Sequence, residues 1–158
     1  MTDREARAAE IIAGNKYLTM ATVAADGSPW ATPVYYTPDG HTHFYWASSP
    51  GSRHSTNIAV NPAVSLVIFD STVNFGQAEA VYVTARAAIV PDDELAACAK
   101  LYAARFPELR EYTAKELSPP ADLRLYRATT TEAWTLMRGR DPENTTGLDA
   151  RHPIWRQG

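Results

Sequence analysis

The sequence predicts a mainly β fold, an antiparallel barrel of about six strands with helices at its periphery. Short segments in which apolar and polar residues alternate recur along the chain, as they do in strands that bury one face. Two of these segments end at Asp-Gly turns, at residues 26–27 and 39–40, which favour tight antiparallel hairpins. A doubly wound parallel sheet is excluded, because its strands need long crossover connections.

The composition is typical of one soluble globular domain. The 158 residues are enough to bury a core unaided, and 45% of them are hydrophobic. A net charge of −3 gives no electrostatic reason to expect a nucleic acid or a membrane surface as partner. The apolar runs are too short to span a bilayer, the N-terminus lacks a signal segment, and Cys98 is the only cysteine. We therefore expect a cytoplasmic protein.

The first part of the chain predicts one helix and a meander of three strands. Thr2 to Glu5 form a capping box and Gly14-Asn15 is a stop signal, which bounds a helix at residues 3–13. Strands are expected at residues 17–24, 30–37 and 43–48. Because the two Asp-Gly turns lie between them, each strand is expected to pair with the next.

The later part of the chain predicts the remaining strands and two more helices. The helices are expected at residues 53–60 and 92–106, and the strands at 63–70, 80–90, 122–130 and 132–137. Residues 1–137 therefore form a single barrel domain. Residues 138–158 have few apolar side chains, which indicates a C-terminal arm or a disordered tail with Ile154-Trp155 as its anchor.

A polar, basic corner at the start of the second helix predicts an anion site. Ser48, Ser49 and Ser52 supply hydroxyls there, and Arg53 and His54 supply a guanidinium and an imidazole. The first amides of a helix lack intrahelical acceptors, and a guanidinium matches phosphate oxygens. The same residues also fit a simpler interpretation, in which Ser52 caps the helix and Arg53 is a solvated charge.

Other chemistries have no support in the sequence. The motifs HExxH, GxGxxG, GxSxG and the P-loop are absent, so hydrolase and kinase chemistry are not indicated. The four histidines, His41, His43, His54 and His152, show no metal-ligand spacing, and we expect no metal site.

Five motifs occur in an order that resembles a known family. They are the hairpin ATVAADGSPWATPVYY, the aromatic strand FYWAS, the corner SPGSRH, the segment NIAVNP and the strand AVSLVIFD. This order is similar to that of the pyridoxamine 5'-phosphate oxidase-like, FMN-binding split barrels. The resemblance covers about residues 17–90 well and the remainder loosely.

The resemblance implies a Greek-key split barrel that forms a homodimer, with FMN at the subunit seam. It implies a flavin-dependent oxidoreductase that transfers hydride between FMN and a small organic substrate or oxygen. Position by position, Ser48, Ser52, Arg53 and His54 would hold the FMN phosphate, although many members have lysine at the position of His54. The residues that would run along the flavin ring, mostly through backbone groups, are Thr32, Pro33, Val34 and Tyr35.

Two further residues are weaker candidates for cofactor contacts. Gln77 would reach the site from the second subunit, and Trp155 would cover the pocket. A purely structural role is the competing interpretation for both, and no catalytic residue is indicated.

Several functions of the same fold remain open. A deazaflavin coenzyme could replace FMN, although its long acidic tail needs a cationic groove that the sequence does not obviously offer. The chain could also be a flavin-binding module without turnover, or an empty barrel that acts as a dimeric interaction protein. The arginines near the C-terminus lack the expected arrangement for pyridoxamine 5'-phosphate, so this substrate is not favoured.

Overall fold

The computed structural model describes residues 1–157, which contain eight strands and three α-helices. The helices are α1 (Asp3–Gly14), α2 (Arg53–Val60) and α3 (Asp92–Ala104), and a 3-10 turn covers Ala114–Leu117. The strands are β1 (Tyr17–Val23), β2 (Pro29–Tyr35), β3 (Thr37–Asp39), β4 (His43–Ser48), β5 (Ala63–Phe69), β6 (Ala80–Ile89), β7 (Arg124–Met137) and β8 (Ala150–Arg156). The predicted mainly β fold is confirmed.

The strands form one antiparallel sheet that curls into a barrel. Their order is β2-β1-β5-β6-β7-β4-β3, with β8 beside β7. β2 and β3 lie at the two ends of this order, yet only Tyr36 separates them along the chain. The backbone therefore joins the two edges of the sheet at Tyr36, whose amide donates to the carbonyl of Lys16 at 3.3 Å.

Side chains fill the interior of the barrel. The largest of those that are fully buried are Trp46, Tyr36, Phe44, Leu18, Met20, Leu66 and Ile68. A second buried cluster lies between β4 and α3, where it includes Tyr45 and Leu95 and takes in Cys98 as a core residue. Because the interior is packed, a large planar ligand has to bind outside the sheet.

The predicted three-stranded meander is wrong at its second turn. β2 pairs with β1, whereas β4 pairs with β3 and β7. The predicted strand at residues 30–37 is broken at Tyr36, because Tyr36 and Thr37 are both buried and the alternation of the strand ends there. The Asp-Gly turn itself forms, with Gly40 at a φ of +56°, but it connects the short strand β3 to β4.

The last two predicted strands are one continuous strand with a bulge. β7 runs from Arg124 to Met137, and its register against β6 shifts between Thr84 and Ala85. Thr131 is the extra residue on β7, and its hydroxyl donates to the Thr84 carbonyl at 3.0 Å. The apparent break between the predicted strands is therefore a β-bulge, which interrupts the alternation without ending the strand.

The C-terminal segment contains the strand β8. From the sequence, either an arm or a disordered tail is expected here. This strand pairs with the second half of β7, Glu132–Met137, and Ile154 and Trp155 pack against the buried core. None of the helices in residues 1–157 has the length and apolar content that crossing a membrane requires.

Arg105, directly after α3, ties three parts of the fold together. Its guanidinium donates to the carbonyls of Ile12, Ala13 and Asn15 at 3.0, 3.1 and 2.7 Å, and also to the carbonyl of Tyr36. It lies over the Tyr36 ring at 4.4 Å. One cation thus satisfies the carbonyls at the end of α1 and covers the residue that joins the sheet edges.

We expect the substitution Arg105→Ala to lower the free energy of unfolding by about 2–4 kcal/mol, because several partly buried carbonyls lose a charged donor. Arg105→Lys should fall between this variant and the wild type, since lysine keeps the charge but not the planar fork. Lys100→Ala, on the exposed side of α3, is the control and should change stability by less than about 0.5 kcal/mol. Urea denaturation measures all three, and an Arg105→Ala midpoint equal to the control would contradict this role.

Candidate cofactor site

The candidate site lies where the end of β4, the start of α2 and the start of β2 meet. α2 is fixed against β1 by a buried hydrogen bond, in which the Asn57 amide donates to the Thr22 hydroxyl at 3.0 Å. Thr22 in turn pairs with Trp30 of β2. The helix N-terminus is therefore held next to the edge strand of the sheet.

A cluster of hydroxyls surrounds the imidazole of His54. The Nε2 atom of His54 lies 2.8 Å from Ser48 Oγ and 3.1 Å from Ser52 Oγ, and the two hydroxyl oxygens are 3.2 Å apart. Ser52 also donates to Ser55 Oγ at 2.8 Å. The structure thus brings together Ser48, Ser52 and His54, all of them predicted, and adds Ser55.

Ser55 is the one member of this cluster that the sequence analysis missed. It is buried in the first turn of α2, three residues after Ser52. Residues three apart on a helix share a face, so this spacing is the signal that could have identified it.

Ser52 occupies the N-cap position of α2 but does not act as a capping side chain. Its backbone is extended, with φ −66° and ψ 151°, and its hydroxyl makes no cap hydrogen bond. The hydroxyl bonds to His54 and Ser55 instead, so it does not occupy the amides of the first turn. These amides keep their donors for an external acceptor, and the helix dipole favours an anion there.

The imidazole of His54, at the N-terminus of α2, is neutral because it is partly buried. The ring is half-buried, and desolvation lowers the pKa of His54 below its ordinary value. Near neutral pH the cluster therefore carries no fixed charge, and its hydrogen bonds are those of neutral groups.

Arg53 lies at the rim of the cluster. Its guanidinium stacks on the Trp30 ring, 4.5 Å from the centroid, and the residue is exposed. The pKa of Asp26 is lowered mainly by hydrogen bonds from Ser28, and also by the charge of Arg53. Arg53 is thus the cation beside the hydroxyl cluster, and the indole of Trp30 holds its side chain near the surface.

The predicted ring contacts lie along β2, the edge strand beside the cluster. Val34 is buried and Thr32 is half-buried on the barrel side, whereas Pro33 is exposed on the other side. A proline in a strand places its nitrogen toward a free edge, so Pro33 indicates that this edge of β2 is unpaired.

Tyr35, at the far end of β2, is held by side chains that belong to the fold. Its hydroxyl donates to Glu108 at 2.8 Å, and its ring lies 5.2 Å from Tyr17 and 5.1 Å from Phe106. Desolvation and the Glu108 carboxylate raise the pKa of Tyr35 to about 12, so the hydroxyl stays protonated.

Gln77 and Trp155 lie away from the cluster within one chain. Gln77 is exposed in the loop that follows β5, whereas α2 precedes β5. Because β5 is about 20 Å long, Gln77 and α2 lie at opposite ends of this strand. Trp155 packs 5.2 Å from the ring of His41, which lies beyond the opposite end of β4 from Ser48. Their assignment to the cofactor site stays a prediction.

The curled antiparallel sheet, closed through Tyr36 and flanked by three helices, defines a split β-barrel. A family model described as pyridoxamine 5'-phosphate oxidase matches residues 5–137, which is most of the chain. The chain therefore belongs to the pyridoxamine 5'-phosphate oxidase family, and the resemblance seen in the sequence is confirmed. Comparison with curated proteins gave no match.

Solved structures share this fold at low sequence identity. A candidate 5-nitroimidazole antibiotic resistance protein from Bacteroides thetaiotaomicron is 12% identical, with a TM-score of 0.69 over 85% of this chain and 84% of that one. A heme binding protein from Mycobacterium smegmatis is 20% identical, with a TM-score of 0.69 over 97% of this chain but 59% of that one. HutZ, a heme storage protein from Vibrio cholerae, is 24% identical, with a TM-score of 0.63 over 82% and 91%.

Acidification should destabilise the fold through His54. The pKa of His54 is lower in the folded state than in the unfolded chain, so the unfolded chain binds the proton first as the pH falls. The stability that neutral His54 contributes is therefore present above about pH 6.5 and is lost as the pH falls below that value. His54→Gln keeps a hydrogen-bonding side chain without this titration. Between pH 7.5 and 5.5 we expect the melting temperature of the wild type to fall more than that of His54→Gln. If the difference between the two melting temperatures stays constant over this range, His54 does not have the lowered pKa.

Proposed function

We propose that the chain binds FMN and acts as a flavin-dependent oxidoreductase on a small organic substrate. The observation that carries the proposal is the hydroxyl–imidazole cluster at the uncapped N-terminus of α2, beside the free edge of β2. An anion-binding helix end next to an edge strand suits a ligand with a phosphate at one end and a planar ring at the other.

The phosphate would bind at the corner. The first-turn amides of α2 and the hydroxyl of Ser48 supply neutral donors, and Arg53 supplies a charged one from the rim. The Ser52 hydroxyl, which donates to Ser55, holds the corner in place. His54 contributes one neutral donor in place of a lysine charge, so Arg53 carries the only fixed positive charge of this set.

The ring would lie along β2, where main-chain groups face outward. Main-chain donors beside the ring favour negative charge on it, and they need no reorganisation because the strand holds them in place. When bound, FMN supplies hydride transfer between an organic donor and a second acceptor. Thr32 to Tyr35 would orient the ring, while no side chain of the cluster is assigned as a proton donor.

A homodimer is supported by the outer face of three neighbouring strands. β1, β2 and β5 contain no charged residue, although alternate side chains of each are exposed. Exposed members include Ala21, Ala31, Ser65 and Phe69, the last at 45% exposure. An uncharged, partly apolar sheet face is typical of a buried interface, and a second copy of the chain is the proposed partner.

The flavin proposal is tested by titrating the purified protein with FMN. We expect a shifted flavin spectrum, and Arg53→Ala should raise the FMN dissociation constant about ten- to a hundredfold, through loss of a charge-assisted phosphate contact. Lys100→Ala removes a positive charge from α3 and serves as the control. Equal dissociation constants for Arg53→Ala and the control would contradict the phosphate site.

The same titration separates the alternatives. Parallel samples receive a deazaflavin coenzyme and heme, because two structural neighbours are named as heme proteins. Saturation by either of these, with no response to FMN, would overturn the proposal. Binding of FMN without turnover of a nicotinamide donor and an added acceptor would indicate a flavin-binding module.

The dimer is tested by a charge placed at the proposed interface. Ser65→Arg sits on the exposed face of β5, so we expect the mass in solution to fall from two chains to one, with the sheet intact by circular dichroism. Thr145→Arg, in the exposed loop before β8, is the matched control. A wild-type mass of one chain would refute the proposed dimer.

A further inference from the structure

A groove between α1 and β8 lies apart from the proposed cofactor site. Its volume is about 470 Å³, within the range of small-molecule sites. Most of its lining is apolar and includes Ala9, Ile12, Pro38, Ile154 and Trp155. Ile12 is buried and forms part of the floor, whereas Ala9 is exposed on α1.

An aromatic wall and a carboxylate give this groove its chemistry. The Trp155 indole lies 5.2 Å from the His41 ring, with 57° between their planes. Glu5 also lines the groove, and its Oε2 atom accepts from the Thr2 amide at 2.6 Å in the capping box of α1. The hydrogen bond from the Thr2 backbone is the main cause that lowers the pKa of Glu5, so the carboxylate is charged at neutral pH.

We propose that this groove is a second binding site, for a planar aromatic molecule that carries one hydrogen-bond donor, such as a phenol, an aryl amine or an indole. The ring would lie against Trp155 and the apolar floor, where burial of its faces is favourable. The donor would bond to the Glu5 carboxylate, an acceptor fixed by the capping box.

The charge of Glu5 also decides which ligands are unfavourable. A carboxylate or phosphate on the ligand would be repelled by Glu5 and would desolvate it without a partner. FMN is such an anion, so this groove and the α2 corner should select different molecules. The second site can therefore exist whether or not the proposed flavin function is correct.

The probe is 2-naphthol, compared with the hydrocarbon naphthalene, which has the same ring and no donor. Equilibrium dialysis against the full chain should show 2-naphthol bound about tenfold more tightly, as expected for a bond to a charged acceptor. Glu5→Gln keeps the capping box but not the charge, so the preference should fall severalfold. Glu10→Gln, on the same helix and outside the groove, should leave the preference unchanged.

A second variant tests the location. Ala9→Trp fills the groove from an exposed position on α1, so binding of both probes should fall at least tenfold while the melting temperature stays near that of the wild type. If Ala9→Trp binds the probes as tightly as the wild type does, the proposal is overturned. Equal affinity of the wild type for 2-naphthol and naphthalene would also overturn it. Competition by FMN would place the probe at the α2 corner and would also overturn it.

Discussion

The barrel depends on the point at which the chain passes through Tyr36 from one edge of the sheet to the other. Its side chain is fully buried, and its hydroxyl donates to the carbonyl of Ile12 at 2.6 Å. Burial raises the pKa of Tyr36, so the hydroxyl keeps its proton and remains a donor. Because Arg105 covers the same ring and bonds to the end of α1, the closure of the sheet, the first helix and the end of α3 are stabilised together.

This closure also shapes the candidate site. The chain leaves β2 at Tyr36, so β2 stays an edge strand whose outer backbone groups have no partner strand, while its first residues lie against α2. The helix is held there by the buried bond between Asn57 and Thr22, well inside the fold. The proposed phosphate site on a helix end and the proposed ring site on a strand edge thus have a fixed separation. Neither needs a mobile loop to bring it into position.

The sequence predicted the element types well and the strand partners less well. Helix α2 and the corner around Ser52 follow from local signals, namely caps, stops and residue types, which act over a few positions. The passage at Tyr36 was missed because it is set by burial against distant residues such as Arg105, which no local periodicity records. The bulge at Thr131 was interpreted as a strand end for the same reason. The contact of Arg53 with Trp30 likewise joins residues far apart in the sequence.

β7 has two partners placed end to end along one side. β4 occupies its first half and β8 its second half, while β6 lines the opposite side. A chain that stopped after Met137 would still close its barrel, but the backbone donors and acceptors of Glu132–Met137 would be open to solvent. Such an edge is a template for cross-molecule strand addition and aggregation. The C-terminal segment therefore covers an edge that would otherwise favour aggregation, independently of any part it has in ligand binding.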